Sequence, residues 1–410
     1  MFHTLRTNQH SRTAFSALFS AAALCAALLL ASCDLLGNLL PGSHDQPAKA
    51  PSIAAMSLCF RNSMVLLDDG TLLASGTNGS GELGSSDIKP SYDLREIRTG
   101  VAGMLSSGIS SFFLMQDGSV DVAGANNFGQ LGTGDTGNFA SETITLPAGV
   151  APKQFQFAGT SSLMLGADGQ VWVSGENDEG TVRDSAGAAP SGNSFQKLSS
   201  QGYLDSVTAM AGKAGHALFL LGDGTVWACG DNSDGRLGTG GPGGAAAQAM
   251  LYLDDAIAVA AGRTHSLILE SDGDLYACGS NIYGQLGGEY DPSIPAYIAP
   301  TKVMSRVSAI AAGDYTSYAI TERGDLYASG LNDYGQVGNG SGEDAHGFVQ
   351  VMSDVAAVAA GPKHAFILKK DGSLWAVGHN YFGQLGDCTV TARARPVQIY
   401  YRDSMSAGGD

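Results

Sequence analysis

Three histidines are the residues whose type and spacing first suggest chemistry, because imidazole is the side chain that gains or loses a proton near neutral pH. They occupy one position of a repeated phrase, where the other copies carry different polar residues: His216, His265 and His364 against Asn62, Ser111, Ser162 and Thr316. Catalysis needs one site with unlike partners, whereas this position is repeated along the chain. The pattern therefore favours a structural histidine, whose hydrogen bond fixes a turn within each copy, over a proton-transfer site.

Common catalytic and cofactor motifs are missing from the sequence after residue 32. It contains no GxxxxGK followed by Ser or Thr, no HExxH, no GxSxG and no CxxC. GxGxxG matches occur, as at Gly132–Gly137 and Gly238–Gly243, but each of these lies in a loop after a repeat and does not join a strand to a helix. We therefore predict no catalytic residue, no cofactor and no metal site.

The cysteines form neither a metal pattern nor a disulfide framework. After residue 32, and besides Cys33, which belongs to an amino-terminal motif, four cysteines lie far apart: Cys59, Cys229, Cys278 and Cys388. Zinc sites need close pairs, so none is indicated, and a disulfide after export stays open. Cys229 and Cys278 share a position that small residues fill in most copies, which favours small buried residues over redox chemistry.

Four aromatic residues share another position, immediately before a glycine of the repeated phrase: Phe128, Tyr283, Tyr334 and Phe382. Two interpretations stay open for them. They pack between neighbouring copies, as buried aromatic residues often do, or they form anchors on one face for a binding partner. Their place inside the repeat favours packing.

The elements that must position these residues follow from a repeat of about fifty residues. Each copy has an apolar run, a turn ending in glycine, a second apolar run ending in Gly-x-Asn and, in most copies, Gly-Gln-Leu-Gly. The turn glycines are Gly70, Gly118, Gly169, Gly224, Gly273, Gly324 and Gly372, with successive spacings of 48, 51, 55, 49, 51 and 48. Seven copies at this period predict a ring or stack of small units, not one large core.

One copy, HSLILESDGDLYACG, predicts what each unit is. Its two short apolar runs flank Asp272-Gly273, which is typical of a β-hairpin. Neither run alternates between polar and apolar residues, so both faces are expected to be covered. The residue before the second-run glycine is small in nearly every copy, which we attribute to crowding of inner strands around an axis: Ser75, Ala123, Ser174, Cys229, Cys278, Ser329 and Val377.

The order Ala-Ala-Gly-x-x-His-Ser-x-x-Leu, Asp-Gly, Gly-x-Asn-x-x-Gly-Gln-Leu-Gly resembles the regulator of chromosome condensation repeat family. The resemblance runs from about Ile53 to the end in seven copies, although the third has ENDEGTVRDSAG where Gly-Gln-Leu-Gly is expected. It implies an all-β fold, a seven-bladed β-propeller in which each blade is a four-stranded antiparallel sheet. We also expect the segment Arg395-Pro-Val-Gln-Ile-Tyr-Tyr to pair into the first blade and close the ring.

The amino terminus resembles a bacterial lipoprotein signal. Arg6 and Arg12 precede an apolar run from Ala14 to Leu30, and Leu-Ala-Ser-Cys ends at Cys33. The resemblance implies cleavage after residue 32 and a lipid on Cys33; a transmembrane anchor is the less favoured alternative, because the apolar run is short. We predict a signal over residues 1–32, a flexible tether over 33–52 and the propeller over 53–410.

The charge of the chain limits its partners. The formal net charge is −17, and removal of the two arginines of the signal leaves 20 basic against 39 acidic residues, or −19. An acidic surface repels phosphate backbones, so we predict that the protein does not bind nucleic acid.

These features predict an exported, lipid-anchored platform of a bacterial envelope that binds a protein or a glycan and is not an enzyme. The membrane, inner or outer, the cell surface as a location, and the oligomeric state stay open. An inhibitor of a secreted or envelope enzyme is the alternative. Guanine-nucleotide exchange, which the family resemblance implies, and glycan hydrolysis are less favoured. The insertions at Asp184–Ser206, Gly238–Met250 and Gly287–Ile298 are the sequence's candidates for binding loops.

Overall fold

The computed structural model describes residues 51–400 except 86, 178–181, 183–189, 199–203, 205, 242–244, 252 and 254. Cys33 and the predicted signal and tether up to residue 50 lie outside the described residues, as do most of the insertion after Asn177 and part of that after Gly238. The described part contains strands and turns but no helix, and so no helix that is long and apolar enough to cross a bilayer.

Within the described residues, twenty-eight strands form seven antiparallel sheets of four, one sheet for each repeat. Blade 1 contains β1 (Ile53–Leu58), β2 (Asn62–Leu67), β3 (Leu72–Gly76) and β4 (Ser91–Arg98). Blade 2 contains β5 (Val101–Ser106), β6 (Ser110–Met115), β7 (Val120–Gly124) and β8 (Phe139–Thr143). Blade 3 contains β9 (Pro152–Ala158), β10 (Ser161–Gly166), β11 (Val171–Gly175) and β12 (Gly192–Lys197). Blade 4 contains β13 (Val207–Lys213), β14 (His216–Leu221), β15 (Val226–Asp231) and β16 (Ala245–Leu251).

The remaining three blades follow the same order. Blade 5 contains β17 (Ala256–Ala261), β18 (His265–Glu270), β19 (Leu275–Ser280) and β20 (Ala296–Met304). Blade 6 contains β21 (Val307–Ala312), β22 (Thr316–Thr321), β23 (Leu326–Gly330) and β24 (Ala345–Met352). Blade 7 contains β25 (Val355–Ala360), β26 (His364–Lys369), β27 (Leu374–Gly378) and β28 (Arg393–Tyr400). The predicted seven-bladed β-propeller is confirmed.

The core of the protein lies between neighbouring blades. Between blades 6 and 7, for example, Tyr318 and Ile320 pack in one cluster with Ile367 and Val377, all of them nearly inaccessible to solvent. The second strands are buried on both faces, as the unbroken apolar runs predict. Each such side chain contributes about 1.5–3 kcal/mol by burial, so a blade is stable mainly through its neighbours.

The prediction that the carboxyl-terminal strand closes the ring within the first blade is wrong. β28 pairs with β27 of its own blade, and blade 1 obtains all four strands from residues 53–98. The error concerned the phase of the repeat: the segment that precedes each innermost strand, such as Ala299 to Met304, is the outermost strand of the preceding blade. Blade 1 therefore lacks no strand, and the ring closes through side chains and loops.

The explanation for the small residue before the third-strand glycine is also wrong. The axis is lined by the first strands, which enclose a channel of about 350 Å³. The small residues lie on the third strands, against the loop of the preceding blade: the hydroxyl of Ser75 donates to the carbonyl of Gln384 at 3.1 Å, and that of Ser174 to Gly129 at 2.8 Å. Crowding between blades, not at the axis, requires small side chains there.

The alternating strand directions divide the ring into two faces. The loop face carries the turns between first and second strands and the long loops between third and fourth strands; the turn face carries the Asp-Gly turns and the links between blades. All seven turn glycines have φ between 80° and 92°, as predicted for these hairpins. Both ends of the described chain lie at the turn face, where the Ser52 amide donates to Asp68 at 2.9 Å and where β28 ends.

Candidate binding surface

The repeated glycine-rich phrase forms a rigid loop around one buried asparagine. In blade 5 the Asn281 side-chain oxygen accepts a hydrogen bond from the Leu286 amide at 3.1 Å, and the fully buried Leu286 anchors the loop. The Gln285 side-chain oxygen accepts from the amide of Tyr283 at 3.0 Å. All seven blades repeat the first bond, and the accepting asparagines are Asn78, Asn126, Asn177, Asn232, Asn281, Asn332 and Asn380. The repeated phrase therefore has a structural role, and its loop positions the residues on the loop face.

The repeated histidines connect neighbouring blades. The Nε2 atom of His216 lies 3.1 Å from the hydroxyl of Ser266 in blade 5, and that hydroxyl donates to the carbonyl of Arg236 back in blade 4 at 2.7 Å. Because the serine proton is already donated, the imidazole Nε2–H must donate to the serine. The same contact joins His265 to Ser317 at 2.9 Å and His364 to Ser63 at 2.8 Å. The histidines have a structural role, as predicted, but their hydrogen bonds join neighbouring blades and do not lie within one blade.

Burial keeps these imidazoles neutral. Desolvation lowers the pKa of His216, His265 and His364 from 6.5 to about 3. His364 packs so closely on the preceding turn that a Cβ atom at Gly361 would lie 2.8 Å from its Nδ1 atom, which explains the glycine three residues before it. The alignment of two serines needs correction: Ser110 and Ser161, not Ser111 and Ser162, pair with the third-strand glycine as the histidines do.

The described residues offer little for catalysis or metal binding. They contain no group of three His, Cys, Asp or Glu side chains arranged to hold a metal ion. The four described cysteines are free, and burial raises the pKa of the Cys59 thiol to about 11 and that of Cys278 to about 12. These two thiols stay protonated and unreactive at neutral pH.

The four aromatic residues of the shared column lie on the loop face, each next to the following blade. Tyr283 packs edge-on against Tyr315 at 5.4 Å, and Tyr334 lies beneath the ammonium of Lys363 at 4.4 Å. Phe382 packs against Phe60 at 5.8 Å. Phe128 is exposed, and the other three are half-buried. Tyr283, Tyr334 and Phe382 pack between blades, and the interpretation of the four residues as anchors for a partner stays a prediction.

The densest group of aromatic rings surrounds His379 where blades 6, 7 and 1 meet. Its imidazole stacks on Phe60 at 5.6 Å and contacts Tyr334 and Tyr381, both at 4.7 Å, and Phe382 at 5.7 Å. Its Nδ1 atom accepts a hydrogen bond from the Gln384 amide at 2.5 Å. Burial, with the nearby Lys363 ammonium, lowers the pKa of His379. The imidazole thus supports the rings from beneath as a neutral, nearly inaccessible group.

Three rings of this group project into solvent. Tyr381 is 61% exposed, Phe60 39%, and Tyr92, whose ring lies against Gly383, 52%. We call Phe60, Tyr92, Tyr334, Tyr381 and Phe382, with His379 beneath them, the aromatic surface. Exposed rings held by packed neighbours are typical of protein-binding hot spots.

Sequence reasoning named Tyr334 and Phe382 but missed Phe60, Tyr92, His379 and Tyr381. The available signal was departure from the repeat: Tyr381 and His379 stand in columns that most other blades fill with small or polar residues, such as Ser233 and Asp231.

The two faces differ in their exposed side chains. Among the described residues ten large hydrophobic side chains are exposed, and eight lie on the loop face: Phe60, Tyr92, Ile109, Phe128, Ile282, Ile294, Tyr381 and Val390. None of the ten lies in a turn of the turn face. That face carries an aspartate in six of seven turns, each accepting the amide two residues later: Asp69, Asp117, Asp168, Asp223, Asp272 and Asp371. This concentration of exposed apolar side chains on one face indicates an interaction surface.

Comparisons with known proteins agree with this architecture. A model of the RCC1-like domain matches residues 141–409, more than half of the chain. No curated protein sequence matches significantly. Among solved structures, Prp20p from Saccharomyces cerevisiae is similar at a TM-score of 0.70 and 20% identity over 82% of this chain and 88% of that one.

Two further structures show the same fold. Yeast RCC1 (Prp20) bound to Kap60 has a TM-score of 0.70 at 19% identity, over 91% of each chain. Human WBSCR16 has a TM-score of 0.67 at 20% identity, over 80% of this chain and 88% of that one. With seven repeats that fold as seven blades and a family model that covers more than half of its residues, the chain belongs to the RCC1-like domain family.

Proposed function

We propose that this protein is a binding platform whose loop face captures a partner protein of the cell envelope or its exterior. The observation that carries the proposal is the concentration of exposed apolar side chains on that face, eight of ten among the described residues. The aromatic surface is its centre, because the exposed rings of Phe60 and Tyr381 are held by packing against His379. A rigid surface loses little conformational entropy on binding, which favours affinity.

We further propose that the chain is exported and anchored through a lipid on Cys33. In that arrangement residues 33–52 form a tether that joins the propeller at the turn face, since Ser52 is bonded to Asp68 there. The aromatic surface then points away from the membrane and stays open to partners. Binding, not catalysis, suits the described residues, because the three column histidines are buried, neutral and committed to their serines.

Guanine-nucleotide exchange is not carried over from the family. Prp20p is described with its binding to Gsp1p and histones, but an identity of 20% shows a shared fold and no shared site. The net charge of −17 opposes association with nucleic acid. Inhibition of an envelope enzyme is one way in which the platform could act on its partner, and it requires the same loop face.

Site-specific photo-cross-linking in producing cells tests the proposal. A photoreactive residue, p-benzoylphenylalanine, replaces Tyr381 on the loop face, or Asp223 on the turn face as a matched control. We expect a discrete adduct with another protein from position 381 and none from position 223. Equal adducts from both positions, or none from 381, would contradict the platform, and an adduct with a glycan in place of a protein would change the class of partner.

A further inference from the structure

At the edge of the aromatic surface lies an arginine that forms no ion pair within the described part of the chain. The exposed Arg61 guanidinium lies over the Phe382 ring, 5.3 Å from its centre. No ion pair of Arg61 is present among the described residues. Stacking on a ring orients a guanidinium and leaves the N–H groups at its edge free to donate. Arg61 therefore offers a fork of donors beside Phe60 and Phe382.

The neighbouring cations are already neutralised within the protein. Lys363, over Tyr334, lies 3.9 Å from the carboxylate of Asp333. Arg393, behind the loop of blade 7, pairs with the nearly buried Asp387 at 2.6 Å. Buried Glu82 influences Arg61 through its charge, but its side chain is bonded to Asn62 and to the amide of Ser80. Arg61 differs from these cations in having its charge available to a partner.

Resting on the proposed function, we propose that the partner is a protein segment that presents a carboxylate to Arg61 and, beside it, an apolar side chain to Phe60 and Tyr381. A guanidinium suits this role because it holds a carboxylate with two parallel hydrogen bonds. The rings exclude water next to the pair, which strengthens it. The charge of Arg61 is opposite in sign to the net charge of the chain, so this contact selects the docking position on an otherwise acidic protein.

A lipid surface is the occupant that the charges oppose. Bacterial bilayers are anionic, and they repel a protein with a net charge of −17. The attraction of a single arginine is too weak to offset this repulsion. The chain also enters the propeller at the opposite face. A membrane therefore fits the loop face less well than a protein segment does.

Three seven-residue peptides with a central phenylalanine test the inference. The flanking residues are Glu and Asp in the first, Gln and Asn in the second, and Lys in the third, and binding of each labelled peptide to the purified full chain is followed by fluorescence anisotropy. Co-sedimentation with vesicles of phosphatidylethanolamine and phosphatidylglycerol is measured in parallel. We expect the acidic peptide to bind about tenfold more tightly than the neutral one, the strength of a hydrogen-bonded charge pair.

Variants of Arg61 separate charge from packing. Arg61→Met keeps the apolar stem and is expected to weaken the acidic peptide about tenfold while leaving the neutral one unchanged. Arg61→Lys is expected to restore part of the loss, since a lysine keeps the charge without the fork. The control is Arg263→Met, which removes another exposed arginine of the loop face, in blade 5.

The inference is overturned if the acidic peptide binds no better than the neutral one, if Arg61→Met leaves its affinity unchanged, or if vesicles are bound in place of peptide. Cross-linking from position 381 distinguishes these failures from failure of the platform. If the cross-linked adduct persists but the acidic and neutral peptides bind equally, the loop face remains the binding surface and the proposal of a partner carboxylate is wrong.

Discussion

The loop face and the turn face are built by the same seven repeats, yet they present different chemistry to solvent. On the loop face, buried asparagines and histidines hold loops that expose Phe60, Tyr381 and six other large apolar side chains. On the turn face, two-residue turns end each hairpin, and their aspartates bond to nearby amides. The loop face is dense in tertiary contacts at its base, whereas the turns, although bonded to the next blade through glycine carbonyls, expose their aspartates to solvent.

This difference separates the residues that build the ring from those available for function. Each turn aspartate bonds to an amide of its own turn, and the carbonyls of turn glycines such as Gly70 and Gly224 accept an amide from the first strand of the next blade, so the described turns present mainly polar groups to solvent. Loops that rest on the next blade are held rigidly enough to display rings such as Tyr381. Cross-blade packing thus makes the loop face both the more constrained and the more useful face.

Glycines at the two ends of one strand give the largest expected contrast. Gly378, at the loop-face end of β27, has a φ of 105°, and an added Cβ would lie 2.5 Å from the carbonyl oxygen of Lys363. Gly372, in the turn before the same strand, has a φ of 86° and open space around the Cβ position. We expect Gly378→Ala to lower the free energy of unfolding by about 3 kcal/mol or more, because the clash adds to the strain of a positive φ. Gly372→Ala is expected to lower it by about 1 kcal/mol, because only the strain of a positive φ applies there.

Urea unfolding of the two variants measures this contrast. Equal losses of stability would mean that the loop face is not the more tightly packed of the two faces.

The second largest expected effect is that of acid, which lowers the free energy of unfolding through the histidines beneath the loop face. Below pH 6.5 the unfolded chain binds protons at His216, His265 and His364 that the folded chain, with pKa values of about 3, does not bind. Stability is therefore complete above pH 6.5 and is lost as pH falls, by at most about 1.4 kcal/mol per pH unit for each histidine. Glu82, whose pKa is raised by burial, acts in the opposite direction.

The turn face should not respond in this window. Hydrogen bonds from Ser119 and Thr225 lower the pKa of Asp117 and Asp223, which stay ionised until the pH falls below the ordinary range of aspartate. The test is urea unfolding at pH 7.5, 6 and 5 for the unmodified chain and His364→Asn, since asparagine stands at this position in blade 1 as Asn62. A less stable variant with a flatter pH dependence is expected; an unchanged dependence would show that His364 does not remain neutral in the fold.

The sequence was sufficient for the fold because the repeat encodes it locally. The spacing of Gly70 through Gly372 defined the hairpins, and the repeated Asn and Leu defined the loops. It was insufficient for what joins the blades. A periodic pattern has no intrinsic start, so the segment ending at Met304 could be assigned to either of two blades. The partner of His364 is Ser63, 301 residues away, and no local pattern indicates that pairing.

The candidate surface was predicted only where it coincided with the repeat. Tyr334 and Phe382 stand in a shared column, but Phe60, Tyr92 and Tyr381 come from three different kinds of segment, namely a first turn, the start of an outer strand and a long loop. Their proximity results from ring closure between blades 7 and 1. The rule that residues outside the repeat are the better candidates for function applies to them. Of the insertions that this rule first suggested, Gly287–Ile298 is described throughout, whereas parts of Asp184–Ser206 and Gly238–Met250 lie outside the described residues.

Affinity capture from envelope extracts with two matched double variants tests the central claim, that the loop face is the binding face. Phe60→Ala with Tyr381→Ala alters the loop face, and Asp117→Ala with Asp223→Ala alters the turn face; thermal unfolding first checks that each stays folded. We predict that the loop-face variant loses the partner retained by the unmodified chain, while the turn-face variant retains it. Retention by the loop-face variant, with loss by the turn-face variant, would contradict the assignment.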